Sequence, residues 1–159
     1  MTRVVLVSPS GAVLDNLAEL GLDTSAGAPE HEVTVLTWER HEAAGVRTIA
    51  LGRDDSGTMS GRLRRAAQRL LSGSAAGRNL FRLTPWDGGR RLWRAARATP
   101  AAVQACREAD LIVAVERDAI LTVWKCARSR IAPRAVAVYG LPSARTVLEE
   151  SRRPSRPIG

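Results

Sequence analysis

Five short apolar runs alternate with helix-forming stretches along the chain. The runs have the length of β-strands and lie at residues 4–7, 32–37, 46–51, 111–115 and 135–138. The first, fourth and fifth runs read as deeply buried, which is typical of strands in a parallel sheet that is covered on both faces. The pattern predicts an α/β fold: a three-layer, Rossmann-like sandwich with a mostly parallel five-stranded sheet in the order 3-2-1-4-5.

Amphipathic spacing predicts helices between and after these strands, at residues 13–20, 62–71, 88–98, 100–108, 120–131 and 143–151. Asp87 is a suitable N-cap for the helix at 88–98, and Thr99-Pro100 is a suitable start for the next one. In the helix at 120–131, Ile120 and Trp124 belong to the apolar stripe that we expect to face the core. Pro133 is expected to end that helix.

Length and composition predict a single domain. A chain of 159 residues with 45% hydrophobic residues can bury a sizeable core. We expect residues 1–150 to form one Rossmann-like domain with a basic helical insertion at 58–98, and residues 151–159, which are rich in Pro and Arg, to be a disordered tail. With no signal-peptide pattern and no apolar run near the ~20 residues that span a membrane, a cytoplasmic location is expected.

The positive charge is concentrated in one segment. The whole chain has a net charge of +8, and residues 62–97 contain ten arginines and one acid, Asp87. Aromatic side chains interleave with these arginines. Three interpretations remain open: a solvated face enriched in arginine by codon bias, a surface that binds anionic membrane, and a surface that binds nucleic acid. The membrane interpretation would place the protein peripherally at the inner face of the membrane. Nucleic acid is the least favoured, because no helix-turn-helix, zinc or RNP pattern is present. The predicted membrane or polyanion surface consists of Arg64, Arg65, Arg78, Arg82, Trp86, Arg90, Arg91, Trp93 and Arg94.

Small and acidic residues follow the strands at their carboxyl ends, where open parallel sheets bind ligands. The predicted ligand-binding residues are Ser8, Ser10, Gly11, Glu116, Asp118, Tyr139 and Gly140. The loop that contains Gly11 lacks the full G-x-G-x-x-G fingerprint, so a plain strand-to-helix turn competes with a phosphate site. The two acids have an alternative role as well, which is to stabilise the N-terminus of the following helix.

The sequence identifies no catalytic residue, no metal site and no cofactor. The two histidines, His31 and His41, have no ligand set at metal spacing. Cys106 and Cys126 match no metal or redox motif and are expected to be reduced, buried thiols. Reaction chemistry therefore has to be inferred from the arrangement of the strands rather than from a catalytic motif.

The order of these segments resembles the N-terminal, Rossmann-like half of a GT-B glycosyltransferase of the family-4 retaining type. The resemblance rests on RVVLVSPSG, HEVTVLTWER, VRTIALGR, a long helical insertion, ADLIVAVERDAILTVWKCAR and AVAVYGLP, and it covers most of residues 1–148. Family members usually have paired glycines in the first loop, where this chain has Ser8-Pro9-Ser10-Gly11.

The resemblance implies that this half binds the acceptor and that a basic region docks on the membrane. The donor sugar nucleotide would be held by a second domain or by a complementary partner chain, without which no transfer is expected. Two other classes of function stay open, which are a stand-alone nucleotide- or phosphate-binding module and a non-enzymatic basic interaction protein.

Overall fold

The computed structural model describes residues 1–17, 31–43, 45–52 and 87–152. Five strands form one sheet: β1 (Thr2–Val7), β2 (His31–Thr37), β3 (Arg47–Ala50), β4 (Leu111–Ala114) and β5 (Val136–Tyr139). All neighbouring strands are parallel and their order is β3-β2-β1-β4-β5. The predicted α/β class, sheet and strand order are therefore confirmed.

Four α-helices are described: α1 (Gly88–Ala98), α2 (Pro100–Glu108), α3 (Ile120–Arg128) and α4 (Leu141–Arg152). Asp87 caps α1 as predicted, since its side chain accepts hydrogen bonds from the backbone N–H groups of Gly89 and Arg90, at 3.0 Å and 3.3 Å. Short 3-10 turns cover Ala12–Asn16 and Arg117–Ala119. Among the helices of the described ranges, none has the length and apolar character needed to cross a membrane.

The core has two halves, one on each face of the sheet. Alternate residues of β1 point to opposite faces, so Val5 and Val7 pack with α1, α2 and α3, whereas Val4 and Leu6 pack with the first 3-10 turn and α4. This gives the expected three layers. Cys106 and Cys126 are free and buried in the first half, as predicted.

Two burial predictions are wrong. The fifth strand was expected to be deeply buried, but β5 forms an edge of the sheet and Val136, Ala137 and Tyr139 are exposed. In α3 the buried face holds smaller side chains, including the fully buried Thr122, while Trp124 is half-exposed. Small side chains let α3 approach the sheet closely, which leaves the large indole outside.

Several predicted elements differ in extent or lie outside the described residues. Helix α3 ends before Ser129, short of Pro133. Helix α4 begins two residues before the predicted helix at 143–151 and extends one residue beyond it, to Arg152, which was assigned to the disordered tail. After β1 the structure describes a 3-10 turn and Leu17 rather than a complete helix. The predicted helix at 62–71, the insertion up to residue 86 and the tail from residue 153 lie outside the described ranges.

Candidate functional site

The candidate site lies at the carboxyl ends of β1 and β4, the two central strands. From β1 the chain continues to β2 and β3 on one side, whereas β4 is followed by β5 on the other side. This is the topological switch point of the sheet, which is the crevice position at which open parallel sheets bind their ligands. Residues 8–11 follow β1 and residues 115–119 follow β4, so both predicted ligand loops meet here.

The loop after β1 is a tight turn that is anchored to β2. Its first residue, Ser8, is fully buried and donates its N–H to the carbonyl of Leu36 at 3.0 Å. The turn closes through a bond from Gly11 N–H to the Ser8 carbonyl, also 3.0 Å. Gly11 has a φ of +78°, and a Cβ at this position would lie 2.7 Å from Nε2 of His41. Glycine is therefore required here by both the backbone conformation and the contact with His41.

Glu116 joins this loop to the end of β4. A single carboxylate oxygen, Oε1, accepts three hydrogen bonds: from Ser8 Oγ at 2.7 Å, from Ser10 Oγ at 2.7 Å and from Ser10 N–H at 3.0 Å. Bonds to an ionised acceptor are stronger than neutral ones. Three of the predicted ligand residues are therefore brought together, and they are bonded to one another.

Glu116 takes the hydrogen-bond donors of the anion site that was predicted in the loop after β1. The N–H and hydroxyl groups that would bind a phosphate here already donate to the carboxylate, which acts as an internal anion. An incoming phosphate would have to displace Glu116 and would be repelled by it. Over the described part of the chain, Oε2 of Glu116 accepts no hydrogen bond, so it can accept one from a ligand hydroxyl.

Asp118 lies at the N-terminus of α1. A Cβ at Gly88 would be 2.2 Å from Oδ2 of Asp118, so glycine makes room for this carboxylate beside the cap residue Asp87. Partial burial is the main cause that raises the pKa of Asp118, and the charges of Asp87 and Glu116 add to it, while Arg117 opposes them. Asp118 precedes α3 by two residues, where the alternative interpretation placed it, and it also lies against the first turn of α1.

Tyr139 and Gly140 lie at the carboxyl end of β5, one strand away from the crevice. Tyr139 is in register with Ala114 of β4, and the N–H of Gly140 donates to the Ala114 carbonyl at 2.9 Å. The Tyr139 side chain is exposed, and within the described ranges neither residue forms a hydrogen bond with the Ser8–Glu116 group. They share the ligand edge of the sheet but are not joined to the other predicted residues.

The described part of the predicted basic surface lies on α1. Arg90 and Arg94 are exposed. Arg91 is only half-exposed and its guanidinium lies 5.7 Å from the ring centroid of Trp38, while Trp93 packs against the core. Trp93 is therefore only partly exposed, which leaves Arg90 and Arg94 as the exposed described members of the predicted surface. The remaining predicted members, Arg64, Arg65, Arg78, Arg82 and Trp86, lie outside the described residues.

Sequence reasoning missed two residues that lie beside the predicted ligand residues. His41 reaches Gly11 from the end of β2, and Asp87 lies beside Asp118. The position of His41 just beyond β2 could have placed it at the ligand edge. The position of Asp87 depends on how α1 packs, which no local pattern reports.

The site carries oxygen acceptors and hydroxyls and no metal ligand set. In the ranges the structure covers, no group of three or more His, Cys, Asp or Glu residues could hold a metal ion. The arrangement can accept hydrogen bonds through Glu116 and Asp118 and can hold a polar ligand at the sheet edge.

Comparison with known proteins adds no family. No protein-family model matches the chain, and no match is found among curated proteins or among solved structures.

Proposed function

We propose that this protein is the acceptor-side domain of a glycosyltransferase-like enzyme and that its crevice binds a neutral, hydroxyl-rich acceptor. The donor half would be a second domain or a complementary partner chain. The sheet order and the position of the crevice are compatible with this role, although Rossmann-like sheets serve many functions. The choice of ligand class rests on the site itself.

The observation that carries the proposal is the geometry of Glu116. Its Oε1 is saturated by the Ser8 and Ser10 donors, so the carboxylate is held in one orientation. Its Oε2 and the partly exposed Asp118 provide acceptors, which suit ligand hydroxyl groups. An acceptor that is fixed in advance binds with a smaller loss of side-chain entropy. Hydroxyl groups, unlike phosphate, are attracted to this site.

A stand-alone phosphate-binding module is the second candidate. The glycine turn at Gly11 favours it, because tight turns after a first strand can direct N–H groups at an anion. Against it stands the negative charge of Glu116, Asp118 and Asp87, which are close enough for their charges to raise the pKa of Asp118. The two candidates predict opposite responses to removal of the Glu116 charge.

Saturation-transfer NMR with a panel of neutral methyl glycosides, and calorimetry with inorganic phosphate and UDP, would test the proposal. We expect a glycoside to bind the wild type and to bind Glu116→Gln at least about tenfold more weakly. Glu150→Gln, an exposed site on α4, is the matched control and should leave binding unchanged. The proposal would be overturned if no glycoside bound, or if phosphate bound and Glu116→Gln strengthened that binding.

A further inference from the structure

Exposed apolar side chains are concentrated on the α3–β5 unit. Of the large hydrophobic residues that the described structure leaves exposed, all but Met1 belong to this unit: Ile120 (41%), Trp124 (50%), Val136 (49%) and Tyr139 (57%). Ile120 and Trp124 are one turn apart on α3 and share a side of that helix. A cluster of this kind is unusual on a monomer surface and marks an interaction site.

The apolar side chains adjoin an open backbone edge. Val136 and Gly140 donate their N–H groups to the Asp110 and Ala114 carbonyls, both at 2.9 Å, so these residues pair towards β4. Because backbone groups alternate along a strand, Ala137 and Tyr139 direct their N–H and C=O groups away from the sheet. No strand of the described ranges pairs with that side of β5.

Tyr139 stands on the same face of the sheet as α3. In β4, Ile112 and Ala114 belong to the core half that α3 covers, and these two residues are in register with Ala137 and Tyr139. Helix α3 packs on β5. We therefore define the α3–β5 surface as Ile120, Trp124, Ala137 and Tyr139. Val136 is in register with Leu111 of the other core half, so its exposed side chain lies on the opposite face of the same edge strand.

Strand β3, at the other edge of the sheet, is protected against pairing with a further strand. The open, apolar edge is therefore particular to β5. In β3 the strand begins with the charged Arg47, its large apolar residue Ile49 is buried, and Thr48 donates its hydroxyl to the His41 carbonyl. Charged residues on edge strands are a usual defence against unwanted pairing. Strand β5 has no charged residue and no proline.

The segment that carries the α3–β5 surface is basic. From residue 120 to residue 140 the sequence contains Lys125, Arg128, Arg130 and Arg134 and no acid, so the unit has a charge of +4. Two of these cations flank the exposed indole: Lys125 Nζ and Arg128 Cζ lie 5.7 Å and 5.3 Å from the Trp124 ring centroid. A complementary partner is apolar at its centre and acidic at its rim.

We propose that the α3–β5 surface binds an extended, acidic protein segment, which adds to the sheet as a sixth strand beside β5. Strand addition satisfies the outward backbone groups of Ala137 and Tyr139, and the apolar side chains give it specificity. A second copy of this chain is disfavoured, because two units of +4 would meet. A lipid surface is disfavoured as well, since hydrocarbon offers no partner for an open sheet edge.

The test uses fluorescence anisotropy with a labelled peptide, Glu-Glu-Val-Thr-Val-Thr-Val-Glu-Glu, and a counterpart with Lys in place of Glu. We expect the full chain to bind the acidic peptide and to ignore the basic one. Ala137→Pro removes an outward N–H at a position where an edge strand tolerates proline, and it should weaken binding at least about tenfold. Arg128→Glu with Arg134→Glu should do the same.

One control tests whether the position of the charge change matters, and a second variant covers loss of folding. Arg97→Glu with Arg107→Glu also reverses two arginines, at exposed positions of α1 and α2, and should leave binding intact. Val136→Lys places a charge on the edge without removing an N–H and should also abolish binding, which covers the case in which Ala137→Pro unfolds the protein. Circular dichroism melts identify the folded variants.

Three results would overturn the proposal. The charge argument would be contradicted if the acidic and the basic peptide bound equally well, or if neither peptide bound. A concentration-dependent dimer in sedimentation, lost in Val136→Lys, would assign the surface to a second copy. Binding to anionic vesicles that Arg128→Glu with Arg134→Glu abolishes, without peptide binding, would assign it to lipid.

Discussion

Ser8 Oγ donates a hydrogen bond to Glu116 Oε1 at 2.7 Å, and the two residues are 108 positions apart in the sequence. The bond ties the turn after β1 to the end of β4 at the switch point of the sheet. Ser8 is fully buried, so its hydroxyl depends on this acceptor for a partner. The same contact shapes the candidate ligand site and gives the first testable prediction.

Glu116→Ala should destabilise the fold by about 1.5–3 kcal/mol, because the buried Ser8 hydroxyl loses a charged partner. Ser8→Ala should destabilise it less, and the double variant should fall short of the sum by at least about 0.5 kcal/mol. Urea unfolding measures all three free energies. Glu150→Ala, at an exposed position, should stay within about 0.5 kcal/mol of wild type. Additive losses would show that the two side chains act independently.

Asp118→Asn should stabilise the protein at neutral pH and have no such effect in acid. The folded pKa of Asp118 is raised above 3.8, mainly by burial and then by Asp87 and Glu116. Below pH 3.8 both folded and unfolded states hold the proton. As pH rises, the unfolded state releases it first, so the wild type loses stability that the Asn variant keeps.

Urea unfolding at pH 3 and pH 7 would measure this difference, with Asp15→Asn as an exposed control. High salt should reduce the effect, since part of it is charge repulsion. A variant that is less stable at pH 7 would show instead that the N-terminus of α1 stabilises the Asp118 carboxylate.

Gly88→Ala should destabilise the protein even though alanine is the better helix former. The new Cβ would meet Oδ2 of Asp118 at 2.2 Å, so the carboxylate would have to leave its place beside α1. We expect a loss of up to about 1 kcal/mol, because the carboxylate ends an exposed side chain that can rotate away. In the background of Asp118→Ala the same substitution should be neutral or stabilising, because the clash is gone. A loss of equal size in both backgrounds would contradict the contact.

The basic residues of α1 should separate into surface and structural groups. If α1 docks on anionic membrane, Arg90→Gln with Arg94→Gln should weaken binding to vesicles that contain phosphatidylglycerol. Raising salt from 0.1 M to 1 M should release the protein, as the Debye length falls from about 10 Å to about 3 Å. Arg91→Gln should instead lower the melting temperature, because Arg91 lies over Trp38.

Vesicles of phosphatidylcholine alone serve as the neutral control, and co-sedimentation measures binding. Lack of binding to anionic vesicles at low salt would remove the membrane interpretation of α1. The exposed arginines would then belong to a solvated face or to a site for another polyanion.

Local sequence determined the kind of the five strands and the four described α-helices and, through the strands, the sheet. The apolar run of β1, the N-cap Asp87 and the helix-starting Pro100 act within a few residues, so their patterns can be recognised directly in the sequence. Strand order followed because parallel strands need crossovers, and few arrangements satisfy that rule. The ligand-binding edge could be predicted as well, since it lies at the carboxyl ends of the parallel strands.

Tertiary structure alone decided which residues meet at that edge and which side chains are covered. No pattern indicates that Glu116 reaches back 108 residues to Ser8, or that Asp118 lies against Gly88. Likewise, the apolar sequence of β5 would fit a central strand as well as an edge strand. Burial depends on what packs beside a strand, and hydrogen bonds between distant loops depend on how the whole sheet brings its strand ends together.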